Sequence, residues 1–201
     1  MKIIFSVLIF IITTCFASAK TATICKSGCD YKIIQTAVDS SKNGDTLLIK
    51  AGVYKESNII IYKKSLHIIG EEGTIIDTHN NGYGFSVEAT DITIKNLTIK
   101  NIEVSYTKEY AAILLFKSYD FVIENITVEN AFFGFLIQKS KDGLVHNNTI
   151  SGQGKAEADS GNAIHLWHCV NVNITNNDVR RMRDGIYLEF GSSAYIANNY
   201  S

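Results

Sequence analysis

His165, Trp167, His168 and Cys169 stand almost side by side in the stretch GNAIHLWHCVNVNITNNDV, which spans residues 161–179. Imidazole and thiolate groups at such spacing are donors that copper or zinc accepts. Met182 follows on a basic corner with Arg180, Arg181 and Arg183, and Cys25 and Cys29 lie close together near the start. His165, His168, Met182, Cys25 and Cys29 are therefore the candidate metal ligands. A competing pattern runs through the same stretch, because Ile164, Leu166, Val172 and Ile174 alternate as in a buried strand. That alternation points His165 and Trp167 outward and turns Cys169 inward, where a free cysteine is a small apolar filler. His165 and His168 then lie on opposite sides of one strand and reach a common ion only if the corner turns sharply.

The elements that must carry these residues emerge from an internal repeat. Ile113–Ser118, Phe135–Ser140, Ile164–Cys169 and Ile186–Gly191 align, with apolar first and third positions and a small sixth. A second apolar pair recurs downstream: Phe121/Ile123, Gly143/Val145, Val172/Ile174 and Ala194/Ile196. Asn148, Asn177 and Asn199 coincide after it, and Asp91, Asp120, Asp142, Asn171 and Ser193 mark a shared turn. Short alternating strands at a period of roughly 22 residues, with stacked amides at corners, predict an all-β, right-handed parallel β-helix. On this reading the Asn-x-Ser/Thr sequons at Asn96, Asn125, Asn147, Asn173 and Asn199 are corner residues. Earlier rungs are predicted over 45–54, 59–76 and 85–99, and Tyr31–Ser41 is predicted as a short amphipathic helix capping the open end. Excursions at Asn101–Tyr110 and Ser151–Gly161 are the loops best placed to meet a partner.

In this frame Tyr187 falls beside His165, Glu189 beside Trp167, and Asp184 beneath Asn162. His165, Trp167, Tyr187, Glu189, Arg183 and Asp184 thus form the candidate partner-binding surface, since an outward Trp gains no core stability. Met1–Ala19 reads as a secretory signal peptide, leaving 20–201 as the β-helix domain of an exported, periplasmic protein. The Cys25–Cys29 pair is read as a disulfide, with a redox or copper role as the sharper alternative. A net charge of −1 gives no broad positive field for nucleic acid. Because Asn198–Ser201 ends on a corner, the chain is expected to lack further rungs and a cap.

The paired motifs Gly161-Asn162-Ala163-Ile164-His165-Leu166-Trp167 and Arg183-Asp184-Gly185-Ile186-Tyr187 resemble those of NosD-type periplasmic proteins, as do Gly44-Asp45-Thr46, Gly52-Val53-Tyr54 and Ile69-Gly70-Glu71. Ala163 departs from the glycine usual there. The resemblance runs from about Cys25 to Ser201. It implies a non-enzymatic accessory in copper delivery to nitrous oxide reductase, with copper as a transient cargo. The partners it implies are an ABC transporter membrane subunit, a copper chaperone and the reductase itself. The alternative is a carbohydrate-binding or polysaccharide-cleaving β-helix. Cleavage calls for clustered carboxylates, whereas the outward acids Glu88, Glu124, Glu189, Glu157 and Asp159 are scattered along the sequence. A purely structural surface β-helix is the third reading, and it leaves the His-Trp-Tyr group without a role.

Overall fold

The computed structural model describes residues 19–105, 107–154 and 160–201, so the signal-peptide reading falls almost wholly outside the described residues. The chain enters through β1 (Thr21–Ile24) and α1 (Ile34–Ser40). It then coils through β2 (Asp45–Ile49), β3 (Gly52–Tyr54) and β4 (Ile59–Tyr62), and next β5 (Leu66–Gly70), β6 (Thr74–Asp77) and β7 (Phe85–Glu88). Longer strands follow: β8 (Thr90–Lys100), β9 (Ala111–Phe116), β10 (Tyr119–Ala131) and β11 (Phe133–Gln138). The last rungs are β12 (Lys141–His146), β13 (Thr149–Gly152), β14 (Asn162–Trp167), β15 (Val170–Thr175), β16 (Asp178–Arg180), β17 (Asp184–Glu189) and β18 (Tyr195–Ala197). All pairings between these strands are parallel, and they build a right-handed parallel β-helix of about seven turns. Among the described residues, no helix is long and apolar enough to cross a membrane.

Parallel pairing at each rung converts the sequence repeat into columns of like residues about 4.8 Å apart. One inward column reads Ala22, Leu47, Ile68, Ile94, Ile123, Val145, Ile174 and Ile196. A facing one reads Ile61, Val87, Leu115, Ile137, Leu166 and Leu188. Each fully buried aliphatic in such a column contributes about 2 kcal/mol of burial energy before entropy is charged. Neighbouring rungs adjust in size. Gly143 lies opposite Phe121, and a Cβ added there would sit 2.0 Å from the ring, so the glycine makes room for the aromatic.

Two polar ladders run inside the coil. Asn148 Oδ1 accepts from Ile126 N at 2.9 Å, Asn177 Oδ1 from Asn148 N at 3.0 Å, and Asn199 Oδ1 from Asn177 N at 2.9 Å. Their amide nitrogens donate to the carbonyls of Ile123, Val145 and Ile174. The second ladder passes through Ser118, Ser140 and Cys169; Ser118 N donates to Ser140 Oγ at 3.0 Å and Cys169 is 2% exposed. Burial pushes the Cys169 thiol pKa up, so it stays protonated and structural, as alternation implies.

The corners use the left-handed backbone region. Asp91, Asp120, Asp142, Asn171 and Ser193 have φ between 52° and 57°, a conformation that Asx side chains tolerate better than most. Asn96, Asn125 and Asn147 do the same on another edge and hydrogen-bond one another along the outside. Asn199 belongs to the inner ladder, whereas Asn173 lies within β15 and not at a corner. The sequon positions therefore divide among three environments.

The N-terminal end is closed as the amphipathic pattern predicts, with a helix shorter than the predicted span. A seven-residue helix has little stability of its own. Glu56 accepts from Ile34 N and Gln35 N at its start, and Lys64 donates to the Val38 and Asp39 carbonyls at its end. Ahead of it, β1 adds a rung on β2 that the repeat does not announce.

Candidate functional site

β17, β14, β11, β9, β7 and β4 form one sheet in that order. Its outward side chains stack in columns. Ser86, Leu114, Leu136, His165 and Tyr187 make one, and Glu88, Phe116, Gln138, Trp167 and Glu189 the next. Toward the start of each strand, Ala111, Phe133, Asn162 and Asp184 align. The neighbours expected from the sequence are in place: Tyr187 beside His165, Glu189 beside Trp167, Asp184 beneath Asn162.

Exposure differs from the expectation at the central residue. His165 is on the outer face but only 9% exposed, and Trp167 is half-buried. The reason is a second apolar cluster on this outer face, made of Ala111, Phe132, Phe133 and Leu136 with Tyr83 and Leu114 packed against it. The His165 ring lies 6.4 Å from that of Phe133 and 5.0 Å from that of Tyr187, edge-on to the latter. Burial drives the His165 pKa down, opposed by the charges of Glu109 and Glu189 and reinforced by that of Arg183. Its Nε2 is 3.7 Å from Glu189 Oε2, too far for a hydrogen bond. Arg183 Nη2 donates to Asn162 Oδ1 at 2.9 Å, and its Nε donates to Asp184 Oδ2 at 3.1 Å. Arg183 is thereby tied down on the same face.

Beside these residues lies a cleft of about 530 Å³. The 101–110 excursion gives it Ser105, Thr107, Lys108 and Glu109, the sheet side gives it Phe132, Phe133 and Arg183, and Ser160 closes it. Repeat reasoning missed Glu109, Phe132 and Phe133, although the doubled phenylalanine at an outward position was a readable signal. Glu157 and Asp159 lie outside the described residues. Glu124 is on a different sheet, between Lys95 and His146, and Glu88 belongs to the Trp167 column.

The far edge of the sheet is an aromatic row. His168 stacks on Phe190 at 4.9 Å and meets Trp167 edge-on at 4.4 Å. Lys139 Nζ lies 5.0 Å above the Trp167 ring and Lys117 Nζ 5.0 Å above Phe116. Phe190 is 69% and Tyr187 40% exposed. Lys117, Lys139, His168 and Phe190 all have φ between 49° and 53°, and the first three are held by backbone donation to the next rung, from Lys117 N to Gln138 O, Lys139 N to Trp167 O and His168 N to Glu189 O. Side chains without an Asx group are strained there, and the row keeps them nonetheless.

The candidate metal ligands are not assembled. Cys25 and Cys29 are joined as a disulfide, so neither offers a thiolate. Met182 is half-buried: its sulfur lies 2.5 Å from where a Cβ on Gly152 would stand, and it lines an open pocket with Arg180 and Arg181. His168 faces Phe190 and His165 faces Tyr187. Among the described residues, no group of three or more His, Cys, Asp or Glu side chains is placed to hold a metal ion.

The model of right-handed β-helix regions matches residues 49–201. The catalytic domain of an α-1,3-glucanase in complex with nigerose is similar in fold, with a TM-score of 0.70 at 20% identity. That likeness covers 90% of this chain but only 33% of the glucanase. A candidate glycosyl hydrolase from Parabacteroides merdae gives a TM-score of 0.67 at 18% identity, over 83% of this chain and 85% of its own. A pectin methylesterase in complex with a hexasaccharide gives 0.61 at 17% identity, over 91% and 66%. At these identities the likeness is one of fold. No curated protein matches the sequence. With the family model covering most of the chain and the strands coiled as it requires, the protein belongs to the right-handed β-helix family.

Proposed function

We propose that the protein is an exported carbohydrate-binding β-helix that seats a glycan on the outer face of the sheet built from β4, β7, β9, β11, β14 and β17. The observation that carries this reading is the row of Phe116, Trp167, His168 and Phe190 along one edge, with the cleft of Glu109 and Arg183 at the other end of the same strands. Aromatic faces pack on the C–H faces of sugars, and the carboxylates, Arg183 and Lys108 supply directional contacts to hydroxyls. Similar folds that hold a hexasaccharide or nigerose support the same reading. Affinity electrophoresis of the protein through gels containing neutral or acidic polysaccharides tests it. Retardation by at least one polysaccharide, relieved by Phe190→Ala with the melting temperature unchanged, is expected. Free migration in every gel would overturn it.

The resemblance to NosD-type proteins favours a second reading, because the two motifs that carry it lie side by side as β14 and β17. On that reading His165, Trp167, Tyr187, Glu189, Arg183 and Asp184 contact an ABC transporter membrane subunit in the periplasm, and copper passes between the partners. Co-purification with that subunit, lost in Trp167→Ala and unaffected by polysaccharide, would favour it over glycan binding.

A further inference from the structure

The inner ladders pair the polar side chains they enclose, whereas the outer face of β14 leaves three buried atoms without a hydrogen bond. Among the described residues, the orphaned buried side-chain nitrogens and oxygens are Asn162 Nδ2, His165 Nδ1 and His165 Nε2. Asn162 is 1% exposed. Neither residue lines the cleft itself, but each stands behind one that does: Arg183 holds Asn162 Oδ1, and the ring of Phe133 is 6.4 Å from that of His165. Leaving a buried donor or acceptor unpaired is destabilising, so three together on one strand face call for a partner that arrives from outside.

We propose that Asn162 and His165 form a subsite that reads the hydroxyl groups of a neutral sugar unit seated at this cleft. The inference rests on the glycan-binding reading and deepens it. Its chemistry follows from what the orphaned atoms can exchange. Asn162 Nδ2 only donates, while a neutral imidazole donates from one nitrogen and accepts at the other. A bound group must therefore both accept and donate, as a sugar hydroxyl does. An ammonium group cannot accept from Asn162. A carboxylate cannot donate to the imidazole; Lys108 and Arg183 line the cleft, but Arg183 is already bound to Asp184, and the acids acting on His165 are Glu109 and Glu189. In this proposal the sugar reaches Asn162 and His165 by displacing the partly exposed side chains of Glu189 and Arg183, the latter giving up its bonds to Asn162 Oδ1 and Asp184 Oδ2.

The test is a titration of the mature protein and of Asn162→Ala and His165→Phe against neutral glucan oligosaccharides and oligogalacturonates, with thermal melting of each variant. Phenylalanine fills the imidazole site without polar atoms, so His165→Phe is expected to melt no lower than wild type while its affinity for the neutral oligosaccharide falls about tenfold or more, the loss of one well-made hydrogen bond. Asn162→Ala is expected to weaken neutral binding to a similar degree. Neutral binding unchanged in both folded variants would overturn the inference. Preference of wild type for oligogalacturonate would overturn it too, while leaving glycan binding intact. Failure of wild type to bind either class would overturn both.

Discussion

The Asn148–Asn177–Asn199 ladder inside the coil and the Leu114–Leu136–His165–Tyr187 column outside it climb the same rungs with the same step. The inner ladder repeats one residue type, and each amide is satisfied by its neighbours above and below. The outer column changes type halfway, from leucine to histidine and tyrosine, and its histidine finds no partner. Repetition along a column is what a coil needs in order to stack. A break in repetition on an outward column does not help the stack, and here it leaves a buried imidazole without a hydrogen bond.

That contrast is easiest to break from inside. Asn177→Ala removes the acceptor for Asn148 N and Nδ2 and the donor to Val145 O, leaving buried groups of two rungs unpaired. A loss of about 4 kcal/mol in urea unfolding is expected from several such groups. A loss under about 1 kcal/mol would place the ladder in the same class as surface amides. Next in size is the Phe121–Gly143 pair. Gly143→Ala drives a methyl into the ring and is expected to cost about 2 kcal/mol. Combining it with Phe121→Leu should recover part of that cost, and a double-mutant cycle with no coupling would show that the two rungs do not share this space.

The smallest effect sharpens the outer side of the comparison. Burial lowers the His165 pKa in the folded protein below its unfolded value near 6.5. As pH falls below about 6.5 the unfolded chain takes up a proton that the folded ring refuses, so stability present at neutral pH declines on acidification. The decline ends once the folded ring itself is protonated. His165→Phe should flatten this part of the pH profile by one proton's worth, measured as melting temperature between pH 7 and pH 5. An unchanged slope would mean that His165 titrates as an exposed residue.

Much of the coil was legible because stacking forces like residues into register: the repeats that start at Ile113, Phe135, Ile164 and Ile186 are the rows that pair. The inner face, the corners at Asp91 to Ser193 and the buried Cys169 followed from the same constraint. The site was half legible. Column neighbours such as His165 and Tyr187 could be read, but their burial could not. The cover over His165 depends on packing around Phe132 and Phe133 and on the path of the 101–110 excursion, neither of which the repeat encodes. Met182 shows the same limit: Arg180 and Arg181 share an open pocket with it as their neighbourhood in sequence suggests, but the seat of its sulfur over Gly152 is not written in the repeat. β1 escaped notice because four residues of weak alternation precede the first full rung.

The left-handed corner at Lys117, Lys139, His168 and Phe190 has a consequence for how this surface can change. Backbone bonds between rungs, and not side-chain identity, hold the corners at Lys117, Lys139 and His168, so each behaves as a socket with a fixed direction and pitch. Charge and aromaticity can then be rewritten one socket at a time while the coil beneath stays the same. An edge of that kind works as a row of movable type, on which new partners can be spelled without recasting the fold.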